Sequence, residues 1–171
     1  MSLVDATYVE QFSNPFYRFH PSTIEETPNG LAVLGHNFVA SLIVKYDHLD
    51  KALANALSLK IDQEMKRVSD SLHHKVIIPE LSDKFAISTA DAHHRLNLRE
   101  GKEHLTFPER ASVIVPISDC SLREIANYFG RRILEQVGVQ EFVTAGVKKI
   151  KVEINYNESM KKASATFDLR S

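Results

Sequence analysis

The sequence predicts an α+β fold in which a four-stranded antiparallel sheet carries two helices packed on one face. Three observations lead there. Alternating apolar and polar residues mark strand pairs at both ends of the chain, two amphipathic helical stretches lie between those pairs, and strict strand-helix alternation is absent. A length of 171 residues, with 43% hydrophobic and 25% charged residues, suits one domain spanning 1–171.

Thr7 to His20 forms a first, weakly patterned strand that stops at Pro21. Pro28-Asn29-Gly30 then signals a turn, with Gly30 as its positive-φ residue. From there Leu34, His36, Phe38, Ala40, Leu42, Val44 and Tyr46 share one face of a long second strand. Ile61, Met65, Val68 and Leu72 recur at helical spacing and predict a helix of about four turns ending at His73-His74-Lys75. A second helix opens at Ser121, which forms a capping-box pattern with Glu124, and Gly138 is its terminator. Ile150, Val152, Ile154 and Tyr156 alternate with polar residues in a third strand, and Ala163, Ala165 and Phe167 do so in a fourth. Asn157-Glu158-Ser159 is the hairpin turn between them. An insertion at about 79–116 holds short alternating pieces near Lys84–Ser88, His94–Arg99 and His104–Phe107, with a turn at Glu100-Gly101.

Composition narrows the function classes. A single cysteine, Cys120, excludes an internal disulfide and any cysteine-rich metal cluster. Twenty-one basic residues against 22 acidic ones leave no field for nucleic acid or an anionic membrane. No apolar run approaches the ~20 residues of a membrane-spanning helix, and Met1 to Glu10 lacks a secretory pattern, so a cytoplasmic location is expected. Eight histidines make imidazole the expected carrier of any metal or acid-base chemistry.

The element order and several motifs then converge. Phe16-Tyr17-Arg18-Phe19-His20, Leu34-Gly35-His36-Asn37-Phe38, Leu72-His73-His74-Lys75 and Cys120-Ser121-Leu122-Arg123-Glu124-Ile125-Ala126, followed by Glu153, occur in order. In these the chain resembles the 6-pyruvoyl-tetrahydropterin and 6-carboxy-tetrahydropterin synthase family. The resemblance implies the tunnelling fold, or T-fold, whose sheets close into a multi-subunit barrel, with a homo-oligomer (trimer or hexamer) as the assembly. It further implies catalytic Zn²⁺ on His20 and His36, acid-base roles for His74 and His73, and binding of a pterin or purine-derived ring by Glu153, Ser121 and Glu124. Metal-assisted elimination of triphosphate from a reduced pterin triphosphate is the implied reaction.

Several positions depart from the family pattern. The third zinc histidine corresponds to Leu34, the thiol to Gly30, and the aspartate that orients the acid-base histidine to His73. A pterin-binding protein of altered or absent chemistry is therefore the alternative expectation. His93 and His94, in the insertion, are either exposed strand histidines or spare imidazoles for a metal.

Overall fold

Helix signals sit where the chain needs them, and the sheets follow from how the intervening strands pair. The structure is a computed structural model that describes residues 10–13, 16–156 and 161–169. The longest helix, α1, runs Lys51–Leu72, with the Asp50 carboxylate accepting from the Leu53 amide as its N-cap. It is longer than the four turns the sequence predicts, because Ala54 and Leu57 continue the apolar face toward the N-terminus. Helix α2, Leu122–Val137, starts at Ser121, whose hydroxyl accepts from the Glu124 amide, and stops at Gly138 with φ 95°. Only half of the capping box forms. The Glu124 carboxylate accepts from Ser118, while the Ser121 amide is satisfied by Asp119. A short helix α3, Val139–Thr144, follows.

The main sheet is antiparallel. Strands β1 (Glu10–Ser13) and β2 (Tyr17–Phe19) pair with successive parts of β5 (Phe38–Tyr46), which pairs with β11 (Val147–Tyr156), which pairs with β12 (Lys162–Asp168). The first two segments act as one broken edge strand, so the sheet has four strand positions. Register sets Ile150 opposite Val44, Val152 opposite Leu42 and Ile154 opposite Ala40, and all six are buried beneath the helices. Phe19, Phe38, Phe129, Ile61 and Met65 join them in the principal core. Lys149, Lys151 and Glu153 fall on the other face, as strand alternation requires.

The predicted long second strand is in fact two. β4 (Gly30–Gly35) ends before His36, and β5 begins at Phe38 in a different sheet. β4 pairs with β3 (Ser22–Thr27), and β3 joins the parallel pair β6 (Val76–Pro79) and β10 (Ser112–Val115). Alternation could not reveal this break, because His36-Asn37 preserves the period while the chain changes partners. The insertion folds as the meander β7 (Phe85–Ala90), β8 (His93–Leu98) and β9 (His104–Pro108), leading through a 3₁₀ turn into β10. Phe85 and Leu96 pack on Ile78, with Ile24, Leu31 and Phe107 around them, as a second small core. The turn at Asn157–Ser159 lies outside the described residues.

Candidate functional site

The place where the chain passes from β2 to β3, and from β4 to β5, is held by backbone hydrogen bonds. The His74 amide donates to the His20 carbonyl and the His36 amide to the Pro21 carbonyl, each at 2.9 Å. The Ser22 amide donates to the Lys75 carbonyl at 2.9 Å. These bonds bring the end of α1 and the two sheet junctions to one spot, where a cleft of about 460 Å³ opens. His20, Pro21, Ser22, Gly35, His36, Asn37 and Tyr156 line it. That size lies within the usual range for small-molecule sites.

Two groups of imidazoles meet there. The His20 ring lies 5.2 Å from that of His73 and 6.1 Å from that of His74, while His73 and His74 stack at 3.8 Å. The His20 amide donates to Nδ1 of His73 at 2.9 Å, so that nitrogen is an occupied acceptor. Burial, and then the charges that His74 and His20 would carry, pull the His73 pKa below the ordinary histidine value. His74 has φ 59°, a left-handed conformation that costs a non-glycine residue energy. That conformation turns its amide onto His20.

His36 stands on the opposite wall. Its ring stacks on Phe38 at 4.8 Å and 10°, with Tyr156 at 5.7 Å. Its Nε2 is 2.6 Å from the hydroxyl of Thr23, which is fully buried and donates to Glu25 at 2.9 Å. Burial lowers the His36 pKa, and the Glu25 charge opposes that shift. Beside it, the side-chain oxygen of Asn37 is buried without a hydrogen-bond partner among the described residues. Such an acceptor is uncommon in a folded interior and marks a place for a donor.

His20 and His36 therefore line one cleft, and His73 and His74 adjoin it. Among the described residues, one chain does not assemble a three-ligand zinc site. Leu34 is 44% exposed at the third position, and among the described residues no group of three His, Cys, Asp or Glu side chains is arranged to hold a metal ion. Zinc with three protein ligands and an open position needs such a group. His94 is held by Ser112 and His93 by the Asp91 carbonyl, both in the insertion.

The other expected residues lie elsewhere in the chain. Glu153 is on the sheet face away from the helices, between Ser41 and Ser164, and pairs with Lys151 at 3.1 Å. Ser121 caps α2, and the Glu124 carboxylate accepts from Ser118. Gly30, with φ 110°, closes the β3–β4 turn against the Glu103 carboxylate. Five strand steps separate it from Gly35, roughly 17 Å at the usual rise. Cys120 donates to the Ile77 carbonyl, and burial pushes its thiol up to about 12. Motif reading passed over Thr23, Glu25 and Tyr156. The Thr23-x-Glu25 alternation, which sets both side chains on one strand face, was the available signal.

No family model matches the sequence, and no curated protein does either. Solved structures do match. A catalytic-residue mutant of the Plasmodium vivax 6-pyruvoyltetrahydropterin synthase is 19% identical with a TM-score of 0.76, covering 94% of this chain and 98% of that one. The 2.2 Å crystal structure of the same organism's 6-pyruvoyl tetrahydropterin synthase matches with a TM-score of 0.74 at 19% identity, over 93% and 99% of the two chains. The Plasmodium falciparum synthase matches at 0.76 and 19%, over 94% and 98%. With an antiparallel sheet, helices on one face and agreement over nearly the whole of both chains, this protein has the T-fold of the 6-pyruvoyltetrahydropterin synthases.

Proposed function

We propose that the cleft binds the ring of a reduced pterin, or a related purine-derived ring, and that the chain is a pterin lyase of the 6-pyruvoyl-tetrahydropterin synthase type. The observation that carries this reading is the buried oxygen of Asn37, unpartnered among the described residues, in the cleft that His36 and Tyr156 also line. A ring with N–H donors satisfies that acceptor, and the Tyr156 ring on the cleft wall, backed by buried Phe38, suits a flat heterocycle.

Triphosphate elimination needs a base that takes a proton from a side-chain carbon of the substrate. The C–H electron pair becomes a carbon–carbon double bond, and the C–O bond to triphosphate breaks with its electrons leaving on phosphate. His74 is the base in this reading. His73, with Nδ1 engaged, positions the His20 backbone and stacks on His74. No step is assigned to a metal, because the described residues of one chain bring no three metal donors together. Purified protein incubated with dihydroneopterin triphosphate should release inorganic triphosphate. His74→Ala should lower that release about 10²–10⁴-fold, the usual contribution of a positioned acid-base group. Release equal to a buffer control rejects the elimination.

A second reading, binding without elimination, is favoured by one fact. The only thiol is turned to a backbone carbonyl and held protonated. Saturable pterin binding with no triphosphate released would select it. Glu153 enters either reading through assembly, since its sheet face is available to a second copy in a homo-oligomer. Light scattering that finds only the monomer mass would remove Glu153 from the proposed site.

A further inference from the structure

A hydroxyl has one hydrogen to give, and this decides the state of His36. Thr23 Oγ1 lies 2.9 Å from a Glu25 carboxylate oxygen and 2.6 Å from His36 Nε2. The carboxylate can only accept, so the hydroxyl hydrogen points to Glu25. The same oxygen must then accept from His36, and Nε2 must carry a hydrogen. Were the hydroxyl turned to His36 instead, two acceptor oxygens would face each other at 2.9 Å with no hydrogen between them. Thr23 is fully buried, so water does not relieve that arrangement.

We propose that Thr23 and Glu25 are positioning residues that hold His36 as its Nε2–H tautomer, leaving Nδ1 as the ring nitrogen offered to a ligand. His36 then meets a ring N–H or O–H donor as a hydrogen-bond acceptor, and its Nε2 is withheld from metal. The ring has little freedom to escape this assignment, because Phe38 stacks on it nearly parallel and Tyr156 closes its side. The inference rests on the cleft being the binding site proposed above, and it narrows the ligand to one presenting a donor beside Asn37.

The first measurement uses no substrate, so it stands apart from the pterin reading. In the ¹⁵N-labelled full chain, above the histidine titration range, His36 should show a slowly exchanging imidazole N–H proton correlated to Nε2. Thr23→Ser should keep that signal, Glu25→Gln should shift it, and Thr23→Val should abolish it while backbone spectra show the fold intact. Adding Zn²⁺ alone should leave Nε2 of His36 protonated and unligated. A hydrogen found on Nδ1, a signal that survives Thr23→Val, or zinc ligation at Nε2 would each overturn the proposal. In the second arm, Thr23→Val should weaken dihydroneopterin triphosphate binding roughly tenfold, with Thr23→Ser restoring it. Equal affinity in wild type and Thr23→Val overturns the positioning role. No binding by any form, with the Nε2–H signal present, rejects the pterin reading and leaves the tautomer established.

Discussion

The two walls of the cleft carry histidines held by different means. His20 is fixed through its backbone: its amide and carbonyl are taken by His73 and His74, just past the end of α1, and its ring faces two other imidazoles. His36 is fixed through its ring, by a hydroxyl backed by a carboxylate and by aromatic stacking. Among the described residues backbone anchorage leaves both ring nitrogens of His20 uncommitted, whereas ring anchorage commits one nitrogen of His36. Two histidines at corresponding positions in two motifs thus present different chemistry to the same space.

The largest test of this contrast removes the aromatic support behind each wall. Phe19 precedes His20 and packs on Phe38 and Phe129, while Phe38 lies under His36. Phe19→Ala and Phe38→Ala should each cost about 3–5 kcal/mol of stability in denaturant unfolding. The two should part in their effect on His36: only Phe38→Ala removes its stacking partner and broadens its ring resonances. Equal broadening in both variants would erase the distinction.

A smaller effect comes from the strained residue on the His20 wall. His74→Gly relieves a left-handed conformation and should raise stability by about 0.5–1 kcal/mol in thermal unfolding, while abolishing any reaction that uses the imidazole. A loss of stability would show that side-chain packing outweighs the backbone strain.

Both walls respond to acid in the same direction. His36 and His73 have pKa values below that of an unfolded histidine, so the unfolded chain binds protons first as pH falls. Their contribution is complete above about pH 6.5 and is lost as pH drops from there toward the folded values. Denaturation midpoints should fall over that window, with His73→Gln, which keeps a polar side chain without titrating, losing part of the dependence. An unchanged slope would remove His73 from it. The smallest effect concerns Cys120, whose buried thiol, pushed up to about 12, should resist iodoacetamide in the native protein and react freely once unfolded. Cys120→Ala should leave pterin binding intact. Rapid native alkylation would contradict this placement.

Much of the scaffold was legible because its periodicities are clean. Leu122, Ile125, Phe129 and Ile133 define one buried helix face, and the alternation around Ile150–Ile154 defines a sheet face. The break at His36-Asn37 was not legible, since a strand that changes sheets can keep its alternation. The parallel pair β6–β10 was hidden for a related reason: Val76–Pro79 and Ser112–Val115 are too short to show a period. The histidines of the cleft could be read from their motifs. Thr23 and Glu25 could not, because a buried hydroxyl gains its meaning from a partner thirteen residues away in sequence.

The most direct test of the cleft as a pterin site is titration of the ¹⁵N-labelled protein with dihydroneopterin triphosphate, following the His20 and His36 rings and the Asn37 side-chain amide. Saturable shifts concentrated on these three residues are expected, with the Asn37 amide moving as its oxygen gains a donor. Saturable shifts confined to the face of Glu153, or none at all, would contradict the assignment of this cleft.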